Sequence, residues 1–192
     1  MKESNSYNYL EEYLNKHGES EEMQIIKSNI EKLNADIVNC FNEERFLKGL
    51  LPVYNHGQVV DFTSLLTGKL TLFRQYAQNK KIALTEEIEN NIIIKADPDA
   101  MDSIINNLIE NAIKYTPEKG SIWVTLKTKN RQILFSVKDN GLGIPDDMQE
   151  KVFEPYFQVY REKLNRQGMG MGLSIVNNIV NSLNGEISLT AR

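Results

Sequence analysis

The spacing of apolar residues changes several times along the chain and predicts an alternation of helices and strands. Apolar spacings of three and four residues predict helices at 23–45, 61–79, 98–115 and 173–183. Short apolar runs predict strands at 81–84, 92–95, 122–127, 133–139 and 186–190. Because helices and strands mix irregularly, we expect an α+β fold. It would be a two-layer sandwich with helices on one face of a mixed, largely antiparallel sheet.

The first predicted helix differs from the others because its apolar residues form one narrow seam. The alternating spacing of three and four residues favours a helix bundle or a dimer, and the alternative is an amphipathic helix packed on its own domain. Pro52 and Gly57 interrupt the pattern. We therefore expect a helical segment at 1–50 and a globular domain at 58–192. The seam consists of Met23, Ile26, Ile30, Leu33, Ile37 and Cys40.

Composition excludes several classes of protein. A net charge of −4 and a pI near 5.4 argue against a nucleic-acid partner, which usually meets a basic surface. No apolar run approaches the ~20 residues that a membrane span requires, and the N-terminus lacks an apolar signal core. The single cysteine, Cys40, excludes an internal disulfide framework and is interpreted as a packing residue. These features predict a cytoplasmic protein.

The helix predicted at 98–115 carries polar residues in an unusual pattern. Asn107, Asn111 and Lys114 follow one another at i, i+4 and i+7, so they share one face of the helix. Asparagine is a mediocre helix former. Its carbonyl oxygen can ligate Mg²⁺ beside substrate phosphates, whose charge a lysine would meet. The alternative is an ordinary solvated surface.

Two glycine-rich stretches follow. In DNGLGIP, Asp139 ends a strand, and Gly141 and Gly143 would let the backbone approach a flat ligand; a tight turn is the alternative. A carboxylate there can accept a hydrogen bond from an exocyclic amine such as that of adenine. In VFEPYFQ, Phe153 and Phe157 are more typical of core residues than of ligand contacts.

The second stretch, GMGMGL, places three glycines before a helix. Its spacing excludes both the dinucleotide-binding fingerprint and the P-loop, which require other glycine intervals. A glycine-rich entry to a helix N-terminus remains, where free N–H groups favour an anion. The polar segment before it, QVYREKLNRQ, could form a mobile lid. The glycines are Gly168, Gly170 and Gly172.

Taken in order, NLIENAIKYT, DNGLGIP, FEPYFQ and GMGMGLSIV resemble the N, G1, F and G2 boxes of sensor histidine kinases. These kinases are part of the gyrase–chaperone–kinase–mismatch-repair ATPase superfamily. Four boxes in this order are far more specific than any one of them, and the resemblance covers roughly residues 20–192. It implies a Bergerat-type ATP-binding fold, with ATP between a sheet and three helices beneath a lid.

The resemblance also implies roles for single residues. Asn111 would ligate Mg²⁺, and Asn107 would help to hold the metal and the phosphates. Lys114 and Tyr115 would contact phosphate and nucleotide, and Asp139 would bind the adenine amine.

The remaining residues of the boxes would shape the pocket. The glycine pair after the adenine-binding aspartate, Gly141 and Gly143, would border the adenine. Phe153 and Phe157 would anchor the lid. The glycines that open the next helix would place it and the lid end against the phosphates, and these are Gly168, Gly170 and Gly172.

The implied reaction is transfer of the ATP γ-phosphate to a histidine on a separate helical domain. The implied partners are that phosphoacceptor helix, a second copy of the kinase in a homodimer, and a response-regulator receiver domain. ATP-driven clamps place a water-activating glutamate where this chain has Asn107, which favours a kinase. A clamp-type ATPase and a nucleotide-sensing interaction module without phosphotransfer remain the alternatives.

Two features depart from the family pattern. Neither His17 nor His56 lies in a phosphoacceptor motif, so both are interpreted as loop or surface residues. The helix at 23–45 resembles only the second helix of the dimerisation hairpin, and no final strand follows residues 186–190. We therefore expect a fragment that binds ATP and Mg²⁺ but cannot phosphorylate itself.

Overall fold

The computed structural model describes residues 54–159 and 170–190, which lie in a compact unit spanning Val53–Arg192. The predictions made for the helix at 23–45, Cys40, His17, Gly168 and most of the lid lie outside these residues. Within the described part of the chain, no helix is long and apolar enough to cross a membrane.

Three helices and five strands make up the described structure. The helices are α1 (Phe62–Asn79), α2 (Pro98–Tyr115) and α3 (Gly172–Ser182). The strands are β1 (Val59–Asp61), β2 (Ala83–Ile88), β3 (Ile93–Lys95), β4 (Ser121–Lys129) and β5 (Gln132–Asp139). Two short 3₁₀ helices, Asp146–Met148 and Lys151–Phe153, connect β5 to the later part of the chain.

The strands form two small sheets. β1 pairs antiparallel with β3, and the second sheet has the order β2-β4-β5. β2 runs parallel to β4, whereas β4 and β5 form an antiparallel hairpin. Asn130 and Arg131 make its turn with φ values of 53° and 64°, the left-handed conformation that two-residue hairpin loops require. The predicted α+β fold with a mixed sheet is confirmed.

Side-chain caps set the first residues of the two long helices. The Asp61 carboxylate accepts a hydrogen bond from Ser64 N at 2.9 Å and caps α1. Asp97 accepts from the backbone N–H groups of Asp99 and Ala100, with Pro98 as the first helical residue of α2. Each cap bonds backbone donors that the helix itself leaves unsatisfied. The bounds predicted for α2 are therefore confirmed, whereas α1 begins at Phe62, one residue later than predicted, because Asp61 is its cap.

The core lies between the helices and the inner face of the β2-β4-β5 sheet. β4 alternates strictly, so Ile122, Val124 and Leu126 point into the core while the residues between them face outward. Full burial of one such side chain contributes about 1.5–3 kcal/mol. The other large, fully buried apolar residues come from the three helices: Leu66, Leu70, Ile105, Ile109, Val176 and Ile179.

The predictions of two strands need correction. Lys81 has a φ of 57° and ends α1, so β2 begins only at Ala83 and runs on to Ile88. Residues 186–190 form no strand. Ile187 and Leu189 are half-buried between exposed neighbours, and Ile187 packs against the core, so the predicted alternation is present. A strand also requires a ladder of hydrogen bonds to a partner, and alternation alone does not supply one.

Candidate functional site

Two asparagines on α2 begin the candidate site. Asn107 and Asn111 are half-buried, one helical turn apart. The Asn107 Nδ2 group donates to Ser103 O at 2.8 Å and to Ser103 Oγ at 3.3 Å. These two bonds fix the amide orientation and leave Oδ1 directed away from the helix backbone.

The glycine that opens α3 lies directly against these asparagines. A Cβ added to Gly172 would stand 2.6 Å from Asn107 Oδ1 and 3.6 Å from Asn111 Nδ2. Only a residue without a side chain therefore brings the start of α3 this close to α2. Met171, the residue before the helix, makes no side-chain cap bond. The first backbone N–H groups of α3 and two amide side chains thus converge, which suits an anion and its counter-ion.

The carboxyl end of α2 carries the other two predicted residues. The Lys114 Nζ lies 4.9 Å from the centroid of the Tyr115 ring, so both side chains occupy one side of the last turn. Leu142 N donates to Tyr115 O at 3.3 Å. A Cβ on Gly141 would lie 2.5 Å from that same oxygen, so this glycine allows the loop after β5 to contact the helix end.

Asp139 ends β5 and stands beside this contact. Its Oδ1 accepts a hydrogen bond from Gly141 N at 2.8 Å. Asn140 anchors the turn to the start of β4, since its Oδ1 accepts from Ser121 N at 2.7 Å. Gly143 has a φ of 69°, a conformation that glycine adopts without strain. The turn holds the carboxylate in place through one oxygen, and Oδ2 can accept a hydrogen bond from a ligand.

The residues of the F box lie against the second glycine stretch. Phe153 lies in the second 3₁₀ helix, Phe157 follows it, and both are half-buried. Gly170 has a φ of 77°, and its added Cβ would lie 2.8 Å from Phe157 O. The two chain segments on either side of residues 160–169 are therefore in contact.

An open groove of about 440 Å³ shares Phe153 with this arrangement. It is lined by Gln149, Glu150, Phe153, Asn177 and Leu189, and none of Asn107, Asn111 and Asp139 borders it. The groove lies beside Phe153 and the segment after α3, which contributes Leu189. The asparagines, the glycines and Asp139 that the sequence singled out lie instead at the junction of α2, α3 and the loop after β5.

Carboxylates do not dominate the candidate site. In residues 54–159 and 170–190, no three His, Cys, Asp or Glu side chains are grouped to hold a metal ion. Glu110 interacts electrostatically with Lys69 of α1. The residue is exposed overall, yet protein atoms desolvate its carboxyl and raise its pKa, which the Lys69 ammonium counteracts. A cation here would rely on amide oxygens and on ligand phosphates.

Sequence reasoning did not identify two residues that shape the site. Ser103 fixes the Asn107 amide, and its position four residues earlier on the helix was the available signal. Lys80 binds the end of α2 from 33 residues away, and no sequence spacing indicates such a contact.

A mixed sheet covered by helices, with glycine loops meeting an asparagine-bearing helix, defines a nucleotide-binding domain. Residues 96–192, just over half of the chain, match the family model of histidine kinase-, DNA gyrase B- and HSP90-like ATPases. The chain belongs to this family, whose domains bind ATP.

Curated relatives narrow the comparison to sensor histidine kinases. The adaptive-response sensory kinase SasA of Synechocystis sp. is 34% identical over 139 residues, which are 71% of this chain and 36% of the relative. The sensor histidine kinase ZraS of Escherichia coli K12 is 30% identical over 177 residues, 91% of this chain and 36% of the relative. The chain thus spans about a third of the length of these relatives.

A solved structure agrees with the sequence comparisons. The nucleotide-free catalytic domain of the histidine kinase ThkA is similar with a TM-score of 0.58 and 27% identity, covering 66% of this chain and 82% of that domain. The resemblance to the catalytic domains of sensor histidine kinases is therefore confirmed in both sequence and fold.

Proposed function

We propose that the chain carries the ATP- and Mg²⁺-binding catalytic domain of a two-component sensor histidine kinase. Its reaction is transfer of the ATP γ-phosphate to a histidine on a phosphoacceptor helix of the same kinase. The observation that supports this most is the approach of Gly172 to Asn107 and Asn111. This approach joins the N box and the G2 box at one helix N-terminus.

The adenine would lie at the turn after β5. The Oδ1 of Asp139 is already bonded to Gly141 N, so Oδ2 is the acceptor for the exocyclic amine of adenine. Gly141 lies against Tyr115 O, and Gly143 keeps the loop turned. Tyr115 and Lys114 then contact the nucleotide beside the turn.

The phosphates would lie between α2 and the start of α3. Asn111 would ligate Mg²⁺ through its amide oxygen, and Asn107 would help to hold the metal and the phosphates. The bound metal supplies charge neutralisation for the transferred phosphoryl group. Gly168, Gly170 and Gly172 would bring the lid end and the α3 N–H groups to the phosphates, and Phe153 and Phe157 would anchor the lid.

The identity of residue 107 also favours phosphotransfer to a histidine over hydrolysis of ATP. An amide cannot take a proton from water as a carboxylate does, and the Asn107 Nδ2 is bonded to Ser103. The nearest glutamate along the helix, Glu110, interacts with α1 instead. Catalysis would therefore rest on positioning and charge, with Lys114 and Asn107 as the contributing side chains.

The proposed partners follow from the sensor kinases to which the chain is similar. They are a phosphoacceptor helix, a second copy in a homodimer and a response-regulator receiver domain, all on the cytoplasmic side. Residues 1–50 would supply part of the dimerisation hairpin. His56 is not the acceptor in this proposal, because Asp97 N and Ser182 Oγ engage its two ring nitrogens.

Calorimetric titration of ATP with and without Mg²⁺ tests the nucleotide site. In Asp139→Asn, the amide oxygen can still accept from Gly141 N, which places an NH₂ donor opposite the adenine amine. We expect ATP affinity to fall about ten- to a hundredfold, because a charge-assisted bond is lost and two donors face each other. Inosine triphosphate, which has an oxygen in place of the amine, should bind Asp139→Asn better than ATP does.

Asp147 is exposed, so Asp147→Asn is the matched control and should bind ATP like the unmutated chain. Unchanged ATP affinity in Asp139→Asn would refute the adenine contact. Incubation with γ-labelled ATP and a sensor-kinase phosphoacceptor hairpin then tests transfer. Label on the histidine supports the kinase, whereas tight binding without transfer would favour the nucleotide-sensing module.

A further inference from the structure

The last turn of α2 depends on a side chain from another helix. The final carbonyl groups of any α-helix have no partner within the helix. Lys80, directly after α1, donates from Nζ to Ile113 O at 2.7 Å and to Lys114 O at 2.9 Å. One ammonium group thus bonds two consecutive carbonyls at the end of the helix that carries the candidate site.

The neighbouring carbonyl of the same turn is bonded by the candidate site itself. Tyr115 O accepts from Leu142 N at 3.3 Å, in the loop where Gly141 contacts the same oxygen. Lys114 and Tyr115, whose side chains stand together on this turn, are the proposed phosphate and nucleotide contacts. Any fraying of the turn would therefore move both side chains and the loop after β5.

Lys80 projects from a rigid base. Lys80 N bonds Tyr76 O at 3.2 Å, and Ile82 N bonds Ala77 O at 2.8 Å across the end of α1. Lys81 between them has a φ of 57°, which is typical of this helix-terminating geometry. Ala77 and Ile82 are both buried in the core. The Lys80 stem therefore starts from backbone that is fixed relative to the sheet.

The charge of Lys80 suits its position. A cation near a helix C-terminus interacts favourably with the partial negative charge of the helix dipole. The Lys80 residue is partly buried, which lowers its pKa, while the Glu118 carboxylate opposes that change. An ammonium has three donors, and the two carbonyls take two of them.

We propose that Lys80 is a positioning residue of the nucleotide site, which holds the last turn of α2 and through it Lys114, Tyr115 and the Gly141 loop. This inference rests on the proposed function, since it assumes that the turn contacts ATP. The two hydrogen bonds of the Lys80 ammonium go to backbone carbonyls of α2. Its effect on ATP passes through the helix backbone.

Hydrogen exchange and ATP titration of Lys80→Met test the proposal, with Lys81→Met as the matched control. Lys81 is exposed and pairs with exposed Glu118 at 3.2 Å, so its loss should change little. In the nucleotide-free protein, Lys80→Met should raise exchange at residues 114–116 about tenfold and leave the core of β4 unchanged. ATP affinity should fall about tenfold, the value of one charge-assisted hydrogen bond.

Rescue distinguishes positioning from general stability. Lys80→Arg keeps the charge and the donors, so it should recover most of the ATP affinity; Lys80→Gln serves as the neutral variant if Lys80→Met does not fold. Equal exchange in Lys80→Met and Lys81→Met would overturn the proposal, as would faster local exchange with unchanged ATP affinity. Absence of ATP binding by the unmutated chain would refute the proposed function instead, while exchange still reports on α2.

Discussion

The contact between Gly172 and the asparagine pair can be tested by adding one methyl group. Gly172→Ala places a Cβ 2.6 Å from Asn107 Oδ1, below the 3.0 Å that real Cβ contacts respect. Asn107 cannot move away freely, because its Nδ2 is bonded to Ser103 O and Oγ. The start of α3 must therefore shift, or the Asn107 amide must leave its hydrogen bonds.

The size of the effect follows from two opposing contributions. Overpacking by one methyl group costs about 1–3 kcal/mol. Alanine recovers up to about 1 kcal/mol relative to glycine through its better helix propensity. The free energy of unfolding should therefore fall by about 0–3 kcal/mol. We expect ATP affinity to bear the full cost of the local distortion, and about 1–3 kcal/mol corresponds to a loss of roughly five- to a hundred-and-fiftyfold.

Calorimetric titration with ATP–Mg²⁺ and urea unfolding measure the two quantities. Gly68→Ala is the matched control, because Gly68 lies within α1 and its added Cβ meets nothing within 4 Å. That variant should gain up to about 1 kcal/mol in stability and keep its ATP affinity. Normal ATP binding by a folded Gly172→Ala variant would refute the idea that α3 must approach Asn107 this closely.

Two further predictions concern the metal and the start of α2. Asn111→Ala should remove the strengthening of ATP binding by Mg²⁺ and leave metal-free binding intact. Titrations of this variant with Mg²⁺ and with EDTA should therefore give the same ATP affinity. A retained Mg²⁺ effect would assign the metal to other ligands. Backbone N–H groups, chiefly that of Asn55, hold the pKa of Asp97 below its usual value. Its charge thus stabilises the fold above pH of about 4, and this contribution disappears as the pH falls through the lowered pKa. Asp97→Asn should therefore be less stable than the unmutated chain to urea at pH 7, and the difference should shrink on acidification; a pH-independent difference would contradict this reasoning.

The sequence predicts α2 and its surroundings well because the signals there are local. Asp97 and Pro98 define the start of the helix, and its apolar period continues to Tyr115, where the helix ends. The shared helix face of Asn107 and Asn111 follows from helical spacing alone. The glycine loops can be predicted from the sequence because a close backbone approach excludes side chains, as Gly141 and Gly172 show.

Other features depend on pairing between distant segments and escape sequence reasoning. β1 has only three residues, too few to show an alternation, and it exists through its pairing with β3. Residues 186–190 show the opposite case, because they alternate like a strand but form no ladder. Lys80 reaches Ile113 across 33 residues, a contact that only the packing of α1 beside α2 creates.

The two ends of α2 explain how asparagines of weak helix propensity can hold a fixed geometry. At its start, the Asp97 carboxylate bonds two of the first backbone N–H groups, and the His56 ring accepts from Asp97 N and reaches Ser182 of α3. At its end, Lys80 and the loop after β5 bond the last carbonyls. Fixed ends restrict the rotation and fraying of a helix, so the residues on its polar face need not be strong helix formers. A site that works by positioning and charge requires this rigidity, because a displacement of about 1 Å is enough to cost about a hundredfold in rate.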